Sequence, residues 1–148
     1  MKVKKLKENY DFYKLENQLC FPLYAASRLV TRCYQPVLDE LGITYPQYLV
    51  LMVLWESDEV NLSLLADKLM LQSNTLTPLL KRMQELGLVD RVRSQKDERS
   101  IVISLTEKGR NLKQEVPRLQ AQLTDLGITL DEAMQLKGLL SKIINHAE

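Results

Sequence analysis

The fold is decided by residues 61–105, which read NLSLLADKLMLQSNTLTPLLKRMQELGLVDRVRSQKDERSIVISL. Apolar residues at helical spacing predict one helix over residues 61–69 and a second over residues 73–86. Gly87 follows the second pattern, in the position where glycine commonly ends a helix. Because only a short break separates the two helices, the pattern predicts a helix-turn-helix.

Two strand patterns follow, at residues 88–93 and 100–105, with a polar segment between them at 94–99. The second strand alternates apolar and polar side chains, as a strand with one buried face does. The two strands therefore predict a β-hairpin with a polar tip. A helix pair followed by such a hairpin predicts a fold that is mainly α with a small β-hairpin wing, the winged helix-turn-helix.

Helical patterns also cover both ends of the chain. The expected helices are 16–40, kinked or interrupted at Pro36; 46–56; 107–126, interrupted or bent near Pro117; and 131–145. Thr44, Thr106 and Thr129 are suited to cap the last three of these helices. The predicted order is four helices, two strands and two helices, in a single domain over residues 1–148.

Apolar stripes on the end helices exceed what a small winged domain can bury. The stripe residues near the C-terminus are Leu119, Leu123, Leu136, Leu139, Leu140 and Ile143. We expect them to pack against a second subunit. Residues 14–42 and 107–146 would then form the interface of a homodimer, and residues 44–105 the winged lobe.

Composition excludes several classes of function. No apolar run approaches the roughly 20 residues of a membrane helix. The lysine-rich start, residues 1–9, lacks the apolar segment of a signal peptide, so we expect a cytoplasmic protein with no membrane partner. Two cysteines and one histidine, His146, are too few for a metal site or a histidine-based triad. We therefore predict no metal, no cofactor and no enzyme activity.

The second helix of the pair has a polar first turn that suits the reading of DNA. Ser73, Asn74, Thr75 and Thr77 can face base edges, and Lys81 and Arg82 can reach phosphates one turn later. A polar first turn is also typical of an ordinary capped helix end. On its own it does not decide between the two interpretations.

The predicted wing favours DNA binding. Its basic residues are Arg91, Arg93, Lys96 and Arg99, against the acidic Asp90, Asp97 and Glu98. A basic hairpin beside a recognition helix can reach the neighbouring minor groove, whose narrow A·T tracts attract arginine. A charged hairpin alone is common, but one that follows a helix pair is not. We therefore predict double-stranded DNA as the partner, with a two-fold dimer reading an inverted-repeat operator.

The residues of the wing resemble those of the MarR family of bacterial regulators. The segment Asp97-Glu98-Arg99-Ser100, followed by the apolar strand 101–106, is similar to that family's wing signature. The resemblance implies that Arg99 enters the minor groove and that Asp97 orients a basic neighbour.

Within this family the chain is similar to the OhrR-type sensors of organic hydroperoxides. The segments that carry the likeness are LENQLCF at 15–21, ITYPQY at 43–48 and TLTPLLK at 75–81. The resemblance implies that Cys20 senses the peroxide and that Tyr34 and Tyr45 of the partner subunit hydrogen-bond its thiolate. It also implies a repressor that leaves its operator on oxidation.

Chemical reasoning on the residues agrees with that role. Cys20 lies near an expected helix start, where unpaired N–H groups stabilise an anion. A thiolate there can attack a peroxide and give a sulfenic acid, which condenses with another thiol. Cys33 is about 20 Å further along a continuous helix, too far for an intrachain disulfide. We expect the one-cysteine mode, with a small-molecule thiol completing the oxidation and Cys33 as a packed helix residue.

The chain also departs from the subgroup's pattern. Asn74 stands where these sensors usually have glycine, Gln72 where they often have aspartate, and Pro22 beside the sensing segment is unusual. These residues bear on the operator sequence and on the exposure of Cys20.

Two alternatives remain open at this point. The first is a MarR-type repressor released by a small aromatic or phenolic ligand, with Cys20 a structural residue, as free cysteines usually are. Its pocket would use Tyr24, Tyr34, Tyr45, Tyr48 and Trp55. The second is a thiol peroxidase, for which a helix pair with a wing would have no purpose.

Overall fold

The computed structural model describes residues 11–147, so the lysine-rich segment 1–9 lies outside the described residues. Helices α1 to α5 are Cys20–Cys33, Gln35–Leu41, Tyr45–Glu56, Leu62–Leu69 and Ser73–Glu85. Strands β1 to β3 are Val60–Asn61, Val89–Arg93 and Ile101–Leu105. Helices α6 to α8 are Glu107–Asn111, Val116–Ala121 and Leu130–Ala147, and 3₁₀ helices cover Leu15–Asn17 and Leu112–Glu115.

The predicted helix over 16–40 is two helices that meet at Tyr34. Pro36 lies in the first turn of α2, where a backbone N–H would have no acceptor within the helix. The missing N–H of proline therefore costs no hydrogen bond there. Gly42 then ends α2 in the left-handed conformation, with a φ of 70°. The interruption at Pro36 is therefore confirmed, but the start at residue 16 is wrong, because α1 begins at Cys20.

Helix α3 lies at the centre of the fold. Its start is fixed by a capping box, in which the Thr44 side chain accepts from the Gln47 N–H and the Gln47 side chain accepts from the Thr44 N–H. The predicted cap at Thr44 is confirmed. Nearly every turn of α3 is buried, including Val50 and Leu51, which have no exposed surface. It therefore acts as the element against which the winged lobe packs.

The sheet has three antiparallel strands in the order β1-β3-β2, so the predicted order with two strands is incomplete. Strand β1 pairs through Val60 with Ile103 of β3, and β2 pairs along its whole length with β3. A two-residue strand has no periodicity that sequence could show. Its pairing with β3 anchors the wing to the loop after α3.

The predicted helix over 107–126 is broken into α6, a 3₁₀ turn and α7. The break precedes Pro117, which lies in the first turn of α7, and α7 ends at Ala121 rather than near 126. Leu119 is 1% exposed and belongs to the core of its own chain, so the expectation that it packs against a second subunit is wrong. Other members of the stripe, Leu136 and Ile143 on α8, are about half exposed, at 47% and 48%.

A close approach joins α6 to the start of β2. A Cβ on Gly109 would lie less than 3.0 Å from the carbonyl oxygen of Leu88 and 3.2 Å from Cδ2 of Leu105. The Gly109 carbonyl accepts a hydrogen bond of 3.0 Å from Nε1 of Trp55, and its N–H donates to the Thr106 cap at 3.0 Å. Because only glycine fits, this position fixes where the C-terminal helices leave the wing.

Among residues 11–147 no single helix is long and apolar enough to cross a membrane. Only α2 and α3 taken together reach that length and composition, and they meet at a bend of 76°.

Candidate DNA-binding surface and thiol site

The helix-turn-helix consists of α4 and α5, joined by Met70, Leu71 and Gln72. The Asn61 side chain caps α4 by accepting the Leu64 N–H at 2.7 Å. Met70 then ends α4 with a φ of 54°, the left-handed conformation that turns the chain toward α5. Three side chains of α5 are fully buried and hold it against α3 and α4: Leu76, Leu80 and Met83. The opposite face of α5 is exposed and can contact a ligand.

The predicted recognition residues lie on the exposed face of α5, and among them only Thr77 is partly covered. Ser73, Asn74, Thr75 and Lys81 are exposed. Thr77 is half-buried, and its hydroxyl donates to the Ser73 carbonyl at 2.8 Å. Its hydroxyl proton is therefore already used, which leaves the methyl group as the part of Thr77 that a base can contact.

Arg82 is exposed but has an intramolecular partner. Its Nη1 forms an ion pair of 3.1 Å with Glu85, one turn later on α5. An exposed ion pair of this kind contributes at most about 1 kcal/mol. A phosphate can therefore compete for the guanidinium of Arg82 at little cost.

The wing tip is shaped by Asp97. Its carboxylate accepts the backbone N–H of Arg99 at 3.0 Å, and its carbonyl accepts the N–H of Ser100 at 2.9 Å. Ser94 donates its N–H to the Ser100 carbonyl at 2.7 Å and closes the loop. Asp97 thus fixes the backbone at Arg99, and among the described residues its carboxylate forms no ion pair.

The four basic residues of the wing differ in exposure. Arg93, Lys96 and Arg99 are exposed, whereas Arg91 is half-buried on the face of β2 that also carries the buried Val89. The Nε of Arg91 is buried, with no hydrogen-bond partner among the described residues. Arg91 therefore lies under the wing and not at its tip.

The base of the wing depends on Asp58, which sequence reasoning missed. Its carboxylate accepts the N–H groups of Leu105 and Glu59, each at 2.9 Å, and pairs with Arg110 at 3.3 Å. Burial alone would raise the pKa of Asp58, but these hydrogen bonds and the Arg110 charge hold it below its ordinary value. No local pattern could reveal this role, because Leu105 and Arg110 are distant in sequence.

Cys20 and Tyr34 lie at opposite ends of α1. Cys20 is the first residue of the helix and is exposed; Tyr34 follows the last residue and is 6% exposed. Fourteen residues of helix span about 21 Å. The phenol of Tyr34 therefore cannot reach the sulfur of Cys20 in the same chain.

Tyr34 belongs to a cluster of aromatic rings. Its ring centroid lies 5.4 Å from that of Tyr45 and 5.8 Å from that of Tyr48. Burial, followed by the neighbouring phenols, raises the pKa of Tyr34, and a hydrogen bond from Gln120 opposes this shift. Burial and Tyr48 raise the pKa of Tyr45 in the same way. Both phenols are therefore protonated hydrogen-bond donors at neutral pH.

Cys33 is half-buried, and its sulfur donates to the Leu29 carbonyl at 3.4 Å. It lies beside Tyr34 in sequence but on a different side of α1, at about 100° per residue. Within residues 11–147 no group of three or more histidine, cysteine or acidic side chains could hold a metal ion.

An exposed recognition helix beside a basic wing is the surface with which winged helix-turn-helix transcription regulators contact DNA. The family model described as transcriptional regulator SarA/Rot matches residues 32–116. The organic hydroperoxide resistance transcriptional regulator of Bacillus subtilis (strain 168) is 48% identical over 143 residues, which are 97% of this chain and 96% of that protein.

Solved structures give the same result. Reduced AbfR of Staphylococcus epidermidis, bound to DNA, has a TM-score of 0.79 at 40% identity and covers 90% of this chain and 94% of that one. Overoxidized AbfR bound to DNA has a TM-score of 0.76 at 39% identity, over 90% and 95%. A MarR mutant of E. coli complexed with operator DNA has a TM-score of 0.75 at 25% identity, over 84% and 92%. The chain belongs to the MarR family of DNA-binding transcriptional regulators, which act as dimers.

Proposed function

We propose that this regulator is a cytoplasmic repressor that binds an inverted-repeat operator as a homodimer and leaves it when an organic hydroperoxide oxidises Cys20. The placement of Cys20 and Tyr34 at the two ends of α1 carries the proposal. Fourteen residues are about 3.9 turns, so the two side chains lie on nearly the same face of the helix. Ser27, midway between them, is small, exposed and on that face as well.

Two copies of α1 that cross antiparallel at Ser27 would bring each Cys20 to Tyr34 of the partner subunit. Tyr45 would join this site, because its ring lies against that of Tyr34. The dimer would draw on residues 14–42 and on α8 within 107–146, whose unpartnered apolar side chains support such an interface. The exposed members are Leu19, Phe21, Leu29, Leu136, Leu139 and Ile143. Each site would then contain residues of both subunits.

The chemistry of such a site is a two-step oxidation. The Cys20 thiolate attacks the outer peroxide oxygen; an S–O bond forms, the O–O bond breaks and the alkoxide takes up a proton and leaves as an alcohol. A small-molecule thiol then attacks the sulfenic sulfur. An S–S bond forms, the S–O bond breaks, and the hydroxyl leaves as water. Tyr34 and Tyr45 are suited to donate to the thiolate, because their phenols stay protonated.

Oxidation would act on DNA binding through the dimer. The two recognition surfaces of a two-fold dimer must be about 34–36 Å apart to meet successive major grooves. Losing the tyrosine hydrogen bonds and placing a thiol adduct at Cys20 would change the crossing of the α1 helices. The recognition residues would then no longer match both half-sites. They are Ser73, Asn74, Thr75, Thr77, Lys81 and Arg82 on α5, with Arg91, Arg93, Lys96 and Arg99 on the wing supported by Asp97.

The relatives support an oxidant as the signal. The Bacillus subtilis relative is named for organic hydroperoxide resistance, and the AbfR structures are described as reduced and overoxidized. A small phenolic ligand as the signal has less support. Of the five aromatic residues considered for its pocket, Tyr48 is 1% exposed and lies in the core.

The test is a titration of the reduced protein on inverted repeats from its own upstream region, repeated after cumene hydroperoxide and a small thiol. We expect tight binding that is lost on oxidation, retained in Cys20→Ser, and lost as in wild type in the matched control Cys33→Ser. Binding indifferent to oxidation in the wild type would contradict the proposal. Sustained peroxide consumption with excess thiol would instead indicate a thiol peroxidase.

A further inference from the structure

A cationic cleft lies beside Tyr45. It has a volume of about 320 Å³ and is lined by Arg28, Thr31, Arg32, Gln35 and Tyr45. The first four residues follow one another at helical spacing along the C-terminal half of α1 and the start of α2. The cleft therefore borders the part of the molecule that would receive the partner's Cys20.

The two arginines of this cleft have no acidic partner among the described residues. Arg28 donates from Nη1 to the Tyr24 hydroxyl at 2.9 Å and lies over that ring. Asp39, one turn beyond Gln35, accepts from the Gln35 amide and pairs with neither arginine. Two like charges four residues apart are mildly unfavourable in a helix. An anion in the cleft would relieve that repulsion.

The lining also defines the chemistry of the ligand. Every lining residue has a polar group, and no aliphatic side chain faces the space. A long acyl chain would therefore bury little surface there. In this cleft the two guanidinium groups are the donors left for an anion, because the Thr31 hydroxyl donates to the Ser27 and Arg28 carbonyls and the Gln35 amide donates to Asp39. Guanidinium groups match carboxylates well.

We infer that this cleft binds the carboxylates of an acidic low-molecular-weight thiol and holds its sulfur beside the partner's oxidised Cys20. The inference rests on the proposed function, since it requires a sulfenic acid at Cys20 and the shared role of Tyr45. It also explains how the oxidation of Cys20 is completed although Cys33 lies at the other end of α1. The bound thiol attacks the sulfenic sulfur, the S–S bond forms as the S–O bond breaks, and water leaves.

The experiment uses full-length protein oxidised to the sulfenic acid with one equivalent of cumene hydroperoxide. Sulfenic acid formation is first verified by the mass of its dimedone adduct. Three thiols are then compared: mercaptosuccinate with two carboxylates, neutral 2-mercaptoethanol, and cationic cysteamine. Quenched-flow mass spectrometry gives the rate of mixed-disulfide formation for the wild type and for the double variant Arg28→Gln/Arg32→Gln. Lys113→Gln, which removes one exposed charge outside the cleft, is the matched control.

Comparing the rates of wild type and variant for each thiol cancels differences in intrinsic nucleophilicity. We expect the double variant to react about tenfold more slowly with mercaptosuccinate, the size of two exposed charge-assisted contacts. Its rate with 2-mercaptoethanol should stay the same, its rate with cysteamine should rise, and the control should match the wild type. Equal rate ratios for all three thiols would overturn the inference. Failure to form any Cys20 sulfenic acid would instead overturn the proposed function.

Discussion

Gly109→Ala is the substitution whose effect the structure defines most sharply. The new methyl carbon would lie less than 3.0 Å from the Leu88 carbonyl oxygen and 3.1 Å from its carbon, both backbone atoms that cannot rotate away. Helix α6 must therefore move away from β2. That movement strains the two hydrogen bonds that hold Gly109, from Trp55 and to Thr106.

The expected loss of stability follows from these contacts. Overpacking of this kind costs about 1–3 kcal/mol, and each strained hydrogen bond roughly another 1 kcal/mol. The higher helix propensity of alanine offsets up to about 1 kcal/mol of this loss of stability. The free energy of unfolding should therefore fall by about 2–4 kcal/mol.

Gly138→Ala provides a matched control in α8, because a Cβ there has nothing within 4 Å. This variant should be more stable than the wild type by about 0.5–1 kcal/mol. Urea unfolding followed by circular dichroism measures both changes, at one protein concentration because dimers gain apparent stability with concentration. If Gly109→Ala unfolded at the same urea concentration as Gly138→Ala, the close approach between α6 and β2 would be wrong.

Three further predictions concern the wing and the turn. For Asp58→Asn, stability should fall by about 1–2 kcal/mol at neutral pH. The pKa of Asp58 in the folded protein is lower than its unfolded value near 3.8. Its contribution to the free energy of unfolding is therefore present above that pH and is lost as the pH falls below it. Acid titrations should thus show the free energies of unfolding of wild type and variant converging. Met70→Gly should stabilise the fold by about 0.5–1 kcal/mol in thermal unfolding, since a φ of 54° is strained for methionine. A loss of stability would show instead that the Met70 side chain, which is 54% exposed, makes stabilising contacts. Arg99→Ala should weaken operator binding about tenfold in a fluorescence titration, whereas Glu98→Gln should not, and equal effects would contradict a specific contact by Arg99.

The parts of the fold that local chemistry specifies were predictable from sequence. Caps at Thr44 and Thr106 and the glycine ends at Gly42 and Gly87 agree with the structure, because each depends on neighbouring residues alone. Strand β1 escaped prediction because two residues show no period and its partner is far along the chain.

The core position of Leu119 was missed for a different reason. The apolar pattern of a helix indicates that one of its faces is buried in the folded protein. It does not indicate whether the same chain or another chain buries that face. In the structure α7 packs on α2, and Arg118 pairs with Glu40 across that contact. Only the three-dimensional arrangement shows that the covering surface comes from the same chain.

The candidate site was predictable only in part. Exposed polar residues on α5 and basic residues on the wing follow from sequence pattern. The role of Cys20 with Tyr34 came from the resemblance to hydroperoxide sensors and stays a prediction. Asp58 had no sequence signal, because Leu105 and Arg110 meet it only in the folded chain. In the arginine cleft, helical spacing already places four of the lining residues together, and only the contribution of Tyr45 depends on the fold.

The separation of Cys20 from Tyr34 along α1 has a genetic consequence in the proposed dimer. Each sensor would take its sulfur from one polypeptide and its phenol from the other, so two different defects could complement each other. A cell that makes both a Cys20→Ser and a Tyr34→Phe protein would assemble mixed dimers, in which one sensor has both defects and the other has none. Such a cell should regain half of its sensors in those mixed dimers, although neither allele alone supplies an intact one.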